Sequence, residues 1–130
     1  MRTYLVDGSN AVRGPHYDPR FPAVEERRER QTLRRLSELA APLADRVRIE
    51  VFFDGPRRPM PEAWAPVHIR FPMYGSADDA ILGAARGILA SGKGVVVVTN
   101  DGGLAADVLE EGGRVMRFSE LQRRLADGRA

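Results

Sequence analysis

Residues Gly94–Asp101 read Gly-Val-Val-Val-Val-Thr-Asn-Asp, a short β-branched run closed by a polar turn and a carboxylate. The run is too short for an ordinary helix and lacks the alternation of a half-exposed strand. It predicts a strand, Gly94–Asn100, buried on both faces of a parallel sheet. Thr3–Asp7 (TYLVD) and Arg48–Asp54 (RIEVFFD) share that character, and each ends in an aspartate. Val67–Phe71 (VHIRF) and Val115–Phe118 (VMRF) are shorter and alternate more, which suits sheet edges.

Apolar residues between these strands recur at helical spacing. Leu33, Leu36, Leu39/Ala40 and Leu43 mark a helix from Val24 to about Leu43, with Arg27, Arg28, Arg30, Arg34 and Arg35 on its polar face. A second helix starts at Ser76 and runs through Ile81, Leu82, Ala85, Ile88 and Leu89 to a stop at Gly92. A third spans about Gly103 to Glu111, with Leu104, Val108 and Leu109 inward and Gly112 at the cap. The last begins at Ser119, where Ser119-Glu-Leu-Gln122 has capping-box spacing. Strands alternating with helices predict an α/β domain with a mostly parallel sheet covered on both faces and right-handed crossovers.

The chain has 130 residues and no cysteine, which fits one domain over 1–130 and excludes disulfides, a zinc ribbon and a thiol nucleophile. Hydrophobic residues at 43% and charged residues at 29% are a globular composition, not a disordered one. The longest aliphatic run, Val95–Val98, is far short of the ~20 residues that span a bilayer. The N-terminus shows no signal-peptide pattern, so a cytoplasmic location without membrane association is expected. A net charge of +2 leans mildly toward a polyanionic partner. Lys93 is the only lysine among the 20 basic residues. A GC-rich genome explains that usage, and bidentate phosphate binding is the functional alternative.

The aspartates carry the functional signal. Asp7 closes the first strand, Asp54 the second, and Asp101 follows the central one, while Asp78 and Asp79 open a helix after Met73-Tyr-Gly-Ser76. Open α/β sheets bind ligands beyond the carboxyl ends of strands, where the strand order reverses. An order of 3-2-1-4-5 sets Asp7 and Asp101 on neighbouring strands at that point, with Asp54 and Asp78–Asp79 on the same edge. Gathered carboxylates repel one another unless a cation or protons neutralise them. All-oxygen ligands point to a hard cation such as Mg²⁺ or Mn²⁺.

Some of these residues have structural alternatives. Ser76-Ala-Asp-Asp79 matches a capping box, and Asp54 before Gly55-Pro56 suits an Asx-type turn. Asp7 and Asp101 are harder to explain structurally, because an Asp directly after a buried strand opposes β-propensity without helping the core. His16 and His68 stand alone and read as structural. No nucleotide cofactor is expected, since Gly8-Ser-Asn-Ala-Val-Arg-Gly14 is not G-x-G-x-x-G and no Walker lysine motif occurs.

Leu5-Val-Asp-Gly-Ser-Asn10, Ser76-Ala-Asp-Asp-Ala-Ile81 and Val98-Thr-Asn-Asp101 resemble the three signature blocks of NYN domains, a branch of the PIN-like nucleases. With Val51-Phe-Phe-Asp-Gly55 and Arg117-Phe-Ser-Glu-Leu121, the layout is most similar to the bacterial YacP-like group over nearly the whole chain. The resemblance implies a three-layer α/β/α PIN-like (Rossmann-like) domain with a mostly parallel five-stranded sheet. It further implies metal-dependent RNA cleavage leaving a 5′-phosphate, in a setting of ribosome-linked mRNA decay. By motif, Asp7 becomes the first-strand metal ligand, Asp78 and Asp79 the helix-start acids, and Asp101 the acid after the central strand. Asn10, Ser9, Asn100 and Asp54 become supporting or substrate-facing residues. The chain departs from that group in being shorter and in carrying Gly102-Gly103 after Asp101.

The expected function is an Mg²⁺- or Mn²⁺-dependent endoribonuclease acting on single-stranded RNA. Asp7, Asp78 and Asp101 would hold the ion largely through waters, and Asp79 would support it or hold a second. Arg13, Arg20, Arg57 and Arg58, in the loops after the first two strands, are candidate RNA contacts, with Tyr17, Phe21 and Trp64 as stacking partners. Loop anchoring is the alternative for Phe21 and Trp64, and a solvated face for the helix arginines. The rival functions are a non-catalytic RNA-binding adaptor, a phosphatase-like domain and a receiver-like domain. Ser9 stands where a haloacid phosphatase needs a second Asp, and the late-strand Lys of a receiver is missing. Monomer and homodimer both remain open.

Overall fold

The computed structural model describes residues 1–14, 17–60 and 63–130. Among these residues, β1 (Arg2–Asp7), β2 (Val47–Phe52), β3 (Val67–Arg70), β4 (Val96–Val98) and β5 (Arg114–Met116) form one all-parallel sheet. Its order is β3-β2-β1-β4-β5, so the reversal of strand order falls between β1 and β4, and β3 and β5 are the edges. The helices are α1 (Gly8–Val12), α2 (Pro22–Ala40), α3 (Ala77–Ala90), α4 (Gly102–Glu110) and α5 (Phe118–Ala126).

Side chains alternate across the sheet and create two cores. On one face Tyr4, Val6, Ile49 and Val51 pack with Leu33 and Leu36 of α2 and Leu121 and Leu125 of α5. On the other, Leu5, Phe52 and Val97 pack with Ile81 and Ala85 of α3 and Leu104 and Val108 of α4. The result is the expected α/β/α sandwich. No helix among the described residues is long and apolar enough to cross a membrane.

Three local expectations are corrected. Helix α1 was not expected, because five residues are too few to show a helical period. It exists because the Asp7 carboxylate caps it and Gly8 lets it approach β2: a Cβ there would lie 2.7 Å from Val51 Cγ1 and 2.9 Å from Phe52 O. The Ser119 capping box does not form. Helix α5 starts one residue earlier, at Phe118, after an Arg117 cap with no side-chain bond, and Phe118 packs on the core. Leu109 is 60% exposed, because Leu104 and Val108 already occupy the inward stripe of α4.

Candidate active site

Asp7 lies at the carboxyl end of β1, only 4% exposed. Its Oδ1 accepts the Asn10 N–H at 3.2 Å, and its Oδ2 accepts the Thr99 hydroxyl at 3.1 Å. That hydroxyl in turn accepts the Asp101 N–H at 3.0 Å, so one buried threonine joins the acids at the ends of adjacent strands. Asn10 Oδ1 accepts the Asn100 N–H at 3.0 Å and ties α1 to the turn after β4. Asp101 caps α4 with Oδ1, which accepts Gly103 N–H at 2.8 Å and Leu104 N–H at 3.2 Å. Its Oδ2 carries no hydrogen bond among the described residues.

Asp54 forms no Asx turn. Its Oδ1 accepts the Ala77 N–H at 3.0 Å, in the first turn of α3, and its Oδ2 accepts Arg13 Nη1 at 3.3 Å. Its own N–H donates to Ser9 Oγ at 2.8 Å, and Arg13 Nε donates to Glu25 Oε1 at 2.6 Å. Asp54 therefore holds α1, α2 and the start of α3 together. Asp79 completes the capping box, receiving the Ser76 N–H at 3.4 Å while its own N–H donates to Ser76 Oγ at 3.2 Å. Asp78, half-buried beside it, makes no hydrogen bond or ion pair among the described residues.

These acids feel one another. Burial pushes the Asp7 carboxyl up to about 6, the negative charges of Asp78 and Asp54 add to the rise, and the Asn10 and Thr99 bonds oppose it. Burial also raises Asp78, followed by the charges of Asp101, Asp54, Asp79 and Asp107. Among the described residues no three acidic or His side chains stand close enough to grip an ion directly. The donor set is all oxygen, mutually repelling, and open at Asp78 and at Asp101 Oδ2. It fits a hard cation that keeps several of its waters, as Mg²⁺ does.

The predicted arginine contacts separate in the structure. Arg13 is bound to Glu25 and Asp54, and Arg20 pairs with Asp18 at 2.6 Å. Arg58 Nη2 donates to both oxygens of buried Glu29, at 3.0 and 3.2 Å, and its Nη1 donates to Asp54 O at 2.9 Å. Arg57 is exposed and has no ion pair among the described residues. Tyr17, Phe21 and Trp64 are all partly exposed. His68 is exposed on edge strand β3, and His16 lies outside the described residues. Sequence reasoning did not assign roles to Thr99, Asp107 or the buried acids Glu29 and Glu50. A hydroxyl residue ending an all-valine strand was the one available signal, at Thr99.

Two crystal structures of Rae1 (YacP) from Bacillus subtilis share this architecture. One superposes with a TM-score of 0.74 and the W164L mutant with 0.72, each at 20% identity. Both alignments cover 98% of this chain, with 75% and 76% of the respective Rae1 chains. No family model and no curated protein matches the sequence. At that identity the likeness is one of fold, and by fold this chain is YacP-like.

Proposed function

We propose that this chain is a divalent-metal-dependent endoribonuclease that cuts single-stranded RNA. The observation that carries this reading is that Asp7 and Asp78, at the switch point of the sheet, are both raised by burial and then by neighbouring negative charges. Asp78 and Asp54 act on Asp7, and Asp101 is first among those acting on Asp78. Carboxylates raised by burial and by one another's charge are relieved by a cation. Asp7, Asp78 and Asp101 would hold Mg²⁺ or Mn²⁺, largely through waters, and Asp79 would support it or hold a second ion. A bound ion of this kind supplies a water of lowered pKa and neutralises charge on phosphate oxygens.

The chain's own residues prepare that site. Thr99 and the Asn10 amide fix the two oxygens of Asp7. Asp54 holds the first turn of α3, and with it Asp78, against the ends of β1 and β2. The Asp101 cap on α4 leaves one oxygen open. Such chemistry does not use the 2′-hydroxyl, so unpaired DNA is expected to be cut as well.

RNA as substrate is supported by the resemblance of three sequence blocks to NYN domains and by the fold shared with Rae1 (YacP). A cytoplasmic role on mRNA at the ribosome belongs to the same proposal. The test is cleavage of a labelled, unstructured RNA with Mn²⁺, Mg²⁺ or EDTA, comparing wild type with Asp7→Asn and Asp101→Asn. Metal-dependent cuts lost in both variants support the proposal. RNA binding that survives in the variants, with no cleavage by wild type in any metal or on ribosome-bound message, replaces it with the adaptor.

A further inference from the structure

An open groove of about 630 Å³ adjoins the acidic edge, lined by Arg57, Met60, Ile69, Arg70, Phe71 and Met73 among others. One wall is the loop after β2 and the other the segment leading from β3 to α3. Both walls are rooted at Asp54, which opens the first and holds the Ala77 N–H at the end of the second. The floor is stiff. The Phe71 ring is backed by Phe53, with centroids 6.4 Å apart, and by the Arg58 guanidinium at 5.0 Å.

The rim is different in kind. Met73 is 87% exposed and Tyr74, next in the chain, 86%, so two large apolar side chains stand in water. Arg57 is exposed without an ion pair among the described residues. Arg70 is committed: it pairs with Glu50 at 2.5 Å and lies over the Phe52 ring at 5.5 Å, on the sheet face opposite Phe71. No carboxylate lines the groove among the described residues. An arginine without an ion pair and the exposed Met73 and its neighbour Tyr74, beside a site that repels phosphate, suit a polyanion whose bases are free to stack.

We propose that this groove holds the unpaired RNA flanking the cut, with Arg57 on a backbone phosphate and Tyr74 and Met73 packed against a base. The assignment rests on the nuclease reading and names its substrate path. A duplex hides its base faces and cannot use these side chains.

The test measures anisotropy of a fluorescent, unstructured RNA oligonucleotide with EDTA-treated protein, so that binding is read without cleavage. Arg57→Ala and Tyr74→Ala are each expected to weaken binding about tenfold, and Tyr74→Phe to retain it. Arg57→Ala should also flatten the slope of log affinity against log salt by about 0.7. Arg46→Ala, an equal charge change before β2 at the opposite edge, leaves binding as in wild type. Thermal melts confirm folding, and Arg57→Gln replaces any variant that melts early. Losses no larger than that of Arg46→Ala overturn the groove, as does equal competition by a duplex. Cleavage with an unchanged KM in the groove variants removes the groove and keeps the nuclease. Groove-dependent binding without cleavage in any metal removes the nuclease and keeps the groove.

Discussion

Asp7→Asn separates what the site does for stability from what it does for chemistry. The Asp7 carboxyl ionises near 6 in the fold, against the ordinary aspartate value of 3.8, chiefly because it is buried and then because Asp78 and Asp54 are negative. A folded value above the unfolded one means the native state holds the proton more tightly. The stability tied to that proton is complete below about pH 3.8 and is lost as pH rises through about 6. At pH 7 the ionised group costs the metal-free protein up to about 3 kcal/mol. Asparagine removes the charge and keeps the shape. Its Oδ1 can accept the Asn10 N–H, and its amide can donate to Thr99 Oγ1, whose proton then turns elsewhere. A net gain of about 1–3 kcal/mol is expected, or about 4–10 °C in Tm for a domain of this size. Melts in EDTA between pH 4 and 8 read it out, and the advantage should shrink toward pH 4 as wild-type Asp7 takes up its proton. Added Mg²⁺ should raise the Tm of wild type and not of the variant. A variant no more stable than wild type at pH 7, or an advantage independent of pH, would refute the reasoning.

Arg58→Ala leaves Glu29 buried without its cation, and an expected loss of about 2–4 kcal/mol is read by urea unfolding. Adding Glu29→Gln should recover part of it, and the single variant's deficit should narrow at acid pH, because burial already raises Glu29. Gly8→Ala forces a Cβ to within 3 Å of Val51, Phe53 and the Phe52 carbonyl, and should lower stability by about 1–3 kcal/mol in the same assay. The Tyr4 hydroxyl is buried without a hydrogen-bond partner among the described residues, so Tyr4→Phe should leave Tm unchanged or raise it by a few degrees in a thermal melt.

Much of the fold was legible before any coordinates. Continuous apolar strands, helical leucine spacing and aspartates at strand ends are local patterns, and they foretold a mostly parallel sheet. The order 3-2-1-4-5 was the condition under which Asp7 and Asp101 become neighbours, and it is the order the structure has. The misses were also local. Helix α1 is shorter than the window that reveals a helix, and the Ser119 box lost to Phe118, whose packing on the core moved the start of α5. Leu109 counted as inward because a sequence shows that a residue is apolar, not whether the stripe beside it is already filled.

What the sequence determined by itself is the architecture and the set of carboxylates that can meet at the switch point, because backbone periodicity and chain order are one-dimensional. Tertiary structure decided which of those carboxylates are engaged and which are open. Asp79 is bound to the Ser76 amide, Asp54 to Ala77 and Arg13, and Asp7 to a threonine 92 residues away, while Asp78 makes no bond and Asp101 keeps an oxygen open. It also gave Arg13, Arg20 and Arg58 intramolecular partners and left Arg57, Met73 and Tyr74 exposed beside the acids. Hydrogen bonds, burial and charge depend on distance in space, and the pairs that set them here lie far apart along the chain.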